Sequence, residues 1–236
     1  MAKLEESGHE AVLIDPLDYD LSAPFKPLFS YAQRNAPQDL LNLAQEIESA
    51  DGYVMVSPEY NHSMSPALAN LLNHFGSSLY SYKPSVIATY SAGQWGGVRA
   101  AVNMRTFLSE LGCLPVSAMI HVPRAQDVLD EDGSYTETQD AQKWSGYLER
   151  AFEQLAWWAN AAKRYHESEE GEKRPGAFTR SPSQRNAPFR SAPRHHRCVG
   201  HVRPRPVHPG DASPRRRDPA YRCRRLPAPL LHAPAP

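Results

Sequence analysis

The chain has 236 residues, of which 41% are hydrophobic and 22 are proline, and its formal net charge is zero. That zero conceals a break in composition: residues 1–170 hold 11 Lys and Arg against 23 Asp and Glu, whereas residues 171–236 hold 15 against 3. The break predicts two parts, a folded domain over residues 1–170 and a disordered Arg- and Pro-rich tail over residues 171–236. No apolar run approaches the roughly 18 residues that span a bilayer, and the acidic N-terminus is unlike a signal peptide, so we expect a cytoplasmic protein without membrane contact.

The basic tail contains two of the three cysteines, Cys198 and Cys223, and the third is Cys113. The chain has no CxxC pair, which argues against a disulfide framework, and no metal site is predicted. His195 and His196 lie beside Cys198, but no second group of ligands follows at the spacing of a zinc finger. The charge of the tail permits salt-sensitive contact with RNA or DNA, but the tail lacks the interleaved aromatic residues that stack on bases. We therefore expect no dedicated nucleic-acid module.

The first predicted elements are a helix end and a strand. Residues 1–6 are good helix formers, and Gly8 is well placed to cap the C-terminus of a short helix. The apolar run Ala11–Ile14, stopped by Pro16, is typical of a buried parallel strand. A helix is then predicted from Pro37 to Ser49, because apolar residues recur there at helical spacing: Leu40, Leu41, Leu43, Ala44 and Ile47.

Strands and helices alternate along the rest of the domain. Three more buried strands are predicted at Tyr53–Ser57, Ser85–Tyr90 and Val116–Val122. The helices between and after them are predicted to begin at Pro66, to run from Val98 to Leu111, and to run from Thr138 to Tyr165. The alternation predicts an α/β fold, with helices on both faces of a parallel sheet and ligands beyond the carboxyl ends of the strands.

Two loops at such strand ends are candidates for a ligand site. The first consists of Pro58, Glu59, Tyr60 and Asn61, after which Ser63 or Ser65 caps the next helix. Its aromatic side chain and backbone N–H groups suit a flat ligand with a polar edge, such as a flavin ring. The alternative interpretation is a simple turn between strand and helix.

The second loop is rich in glycine and precedes a helix. Its residues are Ser91, Ala92, Gly93, Gln94, Trp95, Gly96 and Gly97. The three glycines let the backbone approach a ligand closely, and a helix N-terminus favours negative charge, such as that at the N1–C2 edge of a reduced flavin. The alternative interpretation is a tight connection between strand and helix.

Together the two loops resemble the NADPH-dependent FMN reductase family, which includes quinone, azo-dye and chromate reductases. The matching residues are Pro58 to Asn61, the helix from Pro66 to Asn73, and Ser91 with Gly93, Gly96 and Gly97. The resemblance extends over about residues 12–165. It implies a flavodoxin-like three-layer fold, non-covalently bound FMN, NAD(P)H as co-substrate, and homodimers or homotetramers.

The resemblance also implies a function and a set of site residues. Two electrons would pass from NAD(P)H to quinones, flavins or similar small-molecule acceptors by a ping-pong mechanism. The Pro58–Asn61 loop would hold the ring, and the Ser91–Gly97 loop would line its other edge. Because the cofactor supplies the redox chemistry, no catalytic acid or base is predicted.

The chain departs from the family at its beginning. Members of the family begin with a strand and a Ser-, Arg- and Asn-rich loop that binds the FMN phosphate, and no such pattern precedes Val12. The residues before it predict the end of the first helix instead. We therefore expect the first strand to be absent, the Ala11–Ile14 strand to lose its partner, and phosphate contacts to be lost. The alternative function is then a truncated, non-enzymatic family member that does not bind flavin.

Several other side chains leave two interpretations open. His62 and His74 are either proton donors or ordinary histidines, and Arg99 and Arg105 either pair with a cofactor phosphate or lie on a solvated helix face. Trp95 is a candidate for contact with the ring or for ordinary packing. The remaining notable residues are expected in the core or at an interface: Trp144, Trp157, Trp158 and Cys113.

Overall fold

The computed structural model describes residues 1–21, 25–32, 35–173 and 175–177. Its contacts divide the chain into two units, Met1–Thr179 and Arg180–Pro236. The second unit lies wholly outside the described residues, and so do His195, His196, Cys198 and Cys223. The predicted division into a domain of residues 1–170 and a disordered tail stays a prediction.

Helices and strands alternate along the described chain, as the sequence predicts. The helices are Ala2–Glu6 (α1), Gln38–Ser49 (α2), Pro66–Asn73 (α3), Ser77–Tyr80 (α4), Val98–Glu110 (α5), Ala125–Val128 (α6) and Ala141–His166 (α7). The strands are Tyr53–Pro58 (β1), Pro84–Tyr90 (β2), Leu114–Pro115 (β3) and Ile120–Val122 (β4). Within the described residues, no helix has the length and apolar character needed to cross a bilayer.

Side-chain caps fix where two of these helices begin. The hydroxyl oxygen of Ser65 accepts a hydrogen bond from the backbone N–H of Leu68, which confirms Ser65 as the cap of α3. The carboxylate of Asp140 accepts hydrogen bonds from the backbone N–H groups of Gln142 and Lys143. The last helix therefore begins at Ala141 rather than at Thr138, because Asp140 satisfies its first N–H groups.

The sheet is parallel, and β2 lies inside it. The pairing of β1 with β2 runs from Tyr53 opposite Ser85 to Pro58 opposite Tyr90. On its other side β2 pairs first with β3 and then with β4. The carboxyl ends of β1, β2 and β4 therefore meet at one edge of the molecule, where both candidate loops begin.

Helices cover both faces of the sheet. On one face the buried core joins α2, α3 and α5 to the strands, through residues that include Leu43, Leu72, Met104 and Ile87. On the other face Ala151 and Leu155 of α7 pack with Val86, Ala88 and Ile120. Successive side chains of β2 therefore point into the two cores in turn: Ile87 into the first, and Val86 and Ala88 into the second. This alternation is expected of a strand that is buried on both faces. The predicted flavodoxin-like three-layer α/β class is confirmed.

The predicted strand Ala11–Ile14 is wrong. These residues form no strand, and Val12 and Leu13 are 60% and 56% exposed. A strand exists only when a neighbour satisfies its backbone hydrogen bonds, and no described strand pairs with the outer edge of β1. The apolar run therefore pairs with none of the described strands.

The predicted strand Val116–Val122 is interrupted. Ser85 lies opposite Pro115 and Ala88 lies opposite Ile120, so two residues of β2 face four residues of the neighbouring segment. The polar groups of this bulge are satisfied from both helix layers. The side-chain Oε1 of Gln154 in α7 accepts from the N–H of Ala118, and the Arg105 guanidinium of α5 donates to the carbonyls of Pro115 and Val116.

Candidate functional site

The two candidate loops meet because the strands before them are paired at their ends. The backbone N–H of Glu59 donates to the carbonyl of Tyr90 over 3.0 Å, which continues the β1–β2 pairing by one step. A cavity of about 430 Å³ lies beyond this point. It is lined by Glu59, Asn61, His62, Ser91, Ala92, Gly93, Trp95 and Arg99.

The first loop closes in a tight turn. Tyr60 and Ser63 exchange two backbone hydrogen bonds of 2.9 Å, and the two residues between them, Asn61 and His62, have φ values of 50° and 64°. Consecutive left-handed residues are the pattern of a type I′ turn, which asparagine tolerates and histidine accepts at some cost. The side chain of Asn103 in α5 donates to the carbonyl of His62 and holds the turn in place.

A buried serine fixes the base of this loop. The Ser57 hydroxyl donates to the carbonyl of Pro58 and accepts from the backbone N–H of Ser65, each over 2.8 Å. Ser57 is fully buried at the end of β1. The loop is therefore tied at both ends, and its geometry does not depend on a ligand.

The second loop is held by the segment that follows β4. The backbone N–H of Ser91 donates to the carbonyl of Val122, and the N–H groups of Ala125 and Arg124 donate to the carbonyls of Ser91 and Gly93. The Ser91 hydroxyl also donates to the carbonyl of Gly93 over 3.0 Å. These bonds occupy the carbonyl groups of Ser91 and Gly93 and hold the loop against the segment after β4.

Two glycines let the second loop lie close to the sheet. Gly96 and Gly97 have φ values of 60° and 78°. A Cβ atom on Gly97 would lie 2.7 Å from the Cβ of Thr89, and one on Gly96 would lie 2.9 Å from the backbone nitrogen of Pro123. Both positions therefore require glycine for backbone conformation and for space.

The walls of the cavity contain polar groups without partners. Among the described residues, the backbone N–H groups of the lining residues Ala92, Gly93 and Trp95 have no hydrogen-bond acceptor. The Oε2 atom of Glu59 is buried and likewise has no partner within the described chain. A buried polar group such as this oxygen is normally satisfied, so it calls for a donor. A ligand with such a donor, and with acceptors for the N–H groups along the same flat edge, fits these walls. The isoalloxazine ring of FMN has such an edge.

Beneath the second loop lies a polar contact between two strands. The Oγ1 atom of Thr89 in β2 lies 2.9 Å from the carbonyl oxygen of Gly96 and 2.9 Å from Nδ1 of His121 in β4. Burial lowers the pKa of His121, which favours its neutral form. Neither Thr89 nor His121 was among the predicted site residues. The position of His121 at the carboxyl end of a predicted strand was the available signal.

The structure places the eleven predicted site residues in three groups. Six line the cavity: Glu59, Asn61, Ser91, Ala92, Gly93 and Trp95. Gly96 and Gly97 are buried behind the second loop, and Pro58 ends β1. Tyr60 and Gln94 are exposed at the loop surfaces outside the lining. His62 and Arg99, for which the sequence allowed two interpretations each, also line the cavity.

The other residues for which the sequence left two interpretations lie outside the cavity lining and contact the protein elsewhere. His74 is buried and bonded through Nδ1 to the carbonyl of Asn70, and Arg105 bonds to the strand bulge described above. Cys113 is buried, and burial raises the pKa of its thiol to about 12. Trp144 donates from Nε1 to Gln139. Trp157 and Trp158 are exposed on α7 with their rings edge to face, which excludes them from the core.

Comparisons with known proteins agree with this site. The sequence profile of a family described as NADPH-dependent FMN reductase matches residues 1–127. An NADPH azoreductase of Bacillus sp. (strain OY1-2) is 32% identical over 92 residues, which are 39% of this chain and 52% of that protein. A quinone reductase of Escherichia coli (strain K12) is 37% identical over 75 residues, 30% of this chain and 40% of that protein.

A longer alignment is found with a 2-hydroxy-1,4-benzoquinone reductase of Burkholderia sp., at 28% identity over 138 residues, 56% of this chain and 73% of that protein. The chain spans about half the length of the azoreductase that it matches. The family profile covers more than half of the chain, including both candidate loops. It ends before α7, whereas the resemblance seen in the sequence extends to about residue 165. The predicted family is confirmed: the chain belongs to the NADPH-dependent FMN reductase family.

Proposed function

We propose that this chain binds FMN in the cavity between its two loops and acts as an NAD(P)H-dependent oxidoreductase on quinones, flavins or similar small acceptors. The observation that supports this most directly is the pair of loops itself. Ala92, Gly93 and Trp95, whose N–H groups have no partner among the described residues, line one cavity with Glu59, whose buried Oε2 is also without one. The cavity lies at the carboxyl edge of a parallel sheet. That edge is where α/β folds bind cofactors.

Each wall of the cavity contributes differently to holding the ring. The N–H groups of Ala92, Gly93 and Trp95 would donate to acceptors on the polar edge of the ring, and Glu59 Oε2 would accept from a donor on it. The exposed Trp95 side chain lines the cavity and offers an aromatic surface to the ring. Bound FMN would accept two electrons from NAD(P)H and pass them to the acceptor, in a ping-pong order.

Arg99 brings a positive charge to the wall of the cavity. It lies in the first turn of α5, lines the cavity, and its guanidinium carbon lies 6.0 Å from the centre of the Trp95 ring. The positive end of the α5 dipole is at the same place. Both stabilise negative charge on a bound ring, or on a phosphate group beside it, and the proposed role of Arg99 is this stabilisation.

The proposal also includes three properties predicted from the sequence: a ping-pong order of electron transfer, a cytoplasmic location, and assembly into a homodimer or homotetramer. The proposed site consists of the predicted residues. Those proposed to contact the cofactor line the cavity: Glu59, Asn61, Ser91, Ala92, Gly93 and Trp95. The others shape the two loops: Pro58, Tyr60, Gln94, Gly96 and Gly97.

The test is a titration of the purified full chain with FMN, followed by flavin fluorescence, in the wild type and in Gly93→Leu. Gly93 lines the cavity, its φ lies outside the left-handed region, and an added Cβ would meet only the Ser91 side chain at 3.9 Å. The leucine therefore fills the cavity without straining the loop, and we expect FMN binding to be lost. Gly146→Leu, at an α7 position with open space, adds the same side chain elsewhere and should bind FMN like the wild type.

A second candidate function is favoured by one observation. The outer edge of β1 has no partner strand among the described residues, and Val56 beside it is exposed. This incomplete sheet suits a non-enzymatic family member that binds no flavin. Wild-type protein that takes up no FMN at any concentration tested supports that candidate. Protein whose bound flavin is bleached by NADPH and restored by a quinone contradicts it.

A further inference from the structure

The contact between Thr89 and His121 has only one consistent arrangement of protons. A hydroxyl has one proton to donate, and the carbonyl of Gly96 can only accept. If both 2.9 Å contacts are hydrogen bonds, the Thr89 hydroxyl donates to Gly96 and accepts from His121. His121 must then have its proton on Nδ1. The lowered pKa of His121 agrees with a neutral ring at neutral pH.

Thr89, which donates to the Gly96 carbonyl, and His121, which contacts Thr89, are themselves fixed. Thr89 is 1% exposed and lies in β2, the strand that is paired on both sides. The backbone N–H of His121 donates to the Tyr147 hydroxyl of α7 over 2.9 Å. The side-chain contact therefore connects the second loop to two strands and, through His121, to the helix on the far face of the sheet.

The carbonyl of Gly96 and the N–H of Gly97 belong to one planar trans peptide and point in opposite directions. Fixing the carbonyl toward Thr89 therefore directs the N–H of Gly97 away from Thr89. Glycines adopt more backbone conformations than other residues, so a hydrogen bond to this peptide restricts a pair that is otherwise limited only by its close packing. The contact thus selects one orientation for the peptide that leads into α5.

We propose that His121, as the Nδ1–H tautomer, is a positioning residue that acts through Thr89 to fix the Gly96 peptide and so sets the affinity of the cavity for FMN. This inference rests on the proposed function. A loop that occupies its binding conformation only part of the time has its affinity reduced by that fraction. One buried hydrogen bond corresponds to roughly tenfold in such an equilibrium.

The test compares two pairs of variants of the full chain. Thr89→Ser keeps the hydroxyl and Thr89→Val removes it. His121→Asn keeps an N–H group near the position of Nδ1, whereas His121→Gln moves it toward the position of Nε2. We expect Thr89→Ser and His121→Asn to bind FMN within about threefold of the wild-type affinity. Thr89→Val and His121→Gln should bind FMN roughly tenfold more weakly. Ser85→Ala, which removes a buried hydroxyl from the other end of β2, should leave affinity unchanged.

A second readout needs no cofactor. At a pH above the usual histidine value of about 6.5, the ¹⁵N signals of His121 should show a protonated Nδ1 and an unprotonated Nε2. They are identified by their loss in His121→Asn. An Nε2–H tautomer overturns the inference, and so does a Gln variant that binds FMN as tightly as the Asn variant. A wild type that binds no FMN refutes the proposed function and this inference together, whereas normal binding by Thr89→Val refutes this inference alone.

Discussion

Single residues at the cavity are constrained by backbone geometry more than by side-chain chemistry. Gly97 has a φ of 78°, and the Thr89 side chain lies where its Cβ would be. Gly93, four residues earlier, is not in the left-handed region and faces open space. The two glycines look alike in the sequence, but only one of them is required by the fold of the loop.

This difference predicts opposite responses to the same substitution. Gly97→Ala should lower the free energy of unfolding by roughly 2–4 kcal/mol, because the residue is strained at positive φ and its methyl group overlaps Thr89. Gly93→Ala should change it by less than about 0.5 kcal/mol. Urea denaturation of the two variants measures both values. Equal effects would show that the loop does not have the described conformation.

The sequence alone indicates the residues of both loops but not their environment. Glu59, Asn61, Ser91 and Gly93 were found from their positions after predicted strands, because parallel strands place their carboxyl ends at one edge. The contact between Thr89 and His121 joins residues 32 positions apart. It depends on the register between β2 and β4, which no local pattern specifies, and so it could not be predicted.

Whole elements were predicted well where the local pattern is strong. The amphipathic helices α2, α3, α5 and α7 and the apolar strands β1 and β2 lie within a few residues of their predicted bounds. The failures are both strands that depend on distant partners. Ala11–Ile14 has a strand-like composition without a neighbour, and the Val116–Val122 segment bends away from β2 because side chains from α5 and α7 bind its backbone.

Arg105 makes the bulge between β3 and β4 testable. Its guanidinium donates to the carbonyls of Pro115 and Val116 over 3.2 and 2.8 Å. Arg105→Met should lower the free energy of unfolding by roughly 1.5–3 kcal/mol, since two carbonyls lose a charged donor, and Arg105→Lys should restore part of this loss. Chemical denaturation measures the effect.

Arg99→Met, on the exposed first turn of the same helix, is the matched control and should change stability by less than about 0.5 kcal/mol. If both arginines prove equally dispensable for stability, the role assigned to Arg105 is wrong. A loss for Arg105→Met that Arg105→Lys fully restores would mean that charge alone, without the paired geometry, is sufficient.

At the scale of the whole molecule, the extent of the folded domain is the main question. The sequence places its end near residue 170, and the contacts place the end of the first unit at Thr179. Residues beyond 170 pack against the domain: Gly171 is buried, and the hydroxyl of Tyr82 lies 3.1 Å from the carbonyl oxygens of Pro175 and Gly176. The change in composition and the end of the packing therefore do not coincide.

Two truncations separate these boundaries. A chain ending at residue 177 should keep the stability and the FMN affinity of the full chain. A chain ending at residue 170 should lose about 1 kcal/mol of unfolding free energy, because the contacts of Tyr82 are removed. Thermal and urea unfolding of the two proteins measure the difference.

The same proteins test the tail. If the basic tail binds nucleic acid without a dedicated fold, a salt-sensitive affinity for RNA present in the full chain should disappear in both truncations. Residual RNA binding by the chain ending at residue 177 would place that affinity in the domain instead.

The two outer edges of the sheet differ in a way that limits self-association. At one edge the four residues between β3 and β4 turn their backbone groups toward Arg105, Gln154 and Tyr147, so that a foreign strand would find few groups to bind. At the other edge, among the described residues, the six-residue strand β1 is unpaired on its outer side. In a fibre that grows by strand pairing, every molecule pairs with one neighbour at each of its two sheet edges, so both edges must be free to pair. With one, edge-to-edge growth ends when two copies have met, and a concentrated solution would accumulate closed pairs rather than filaments.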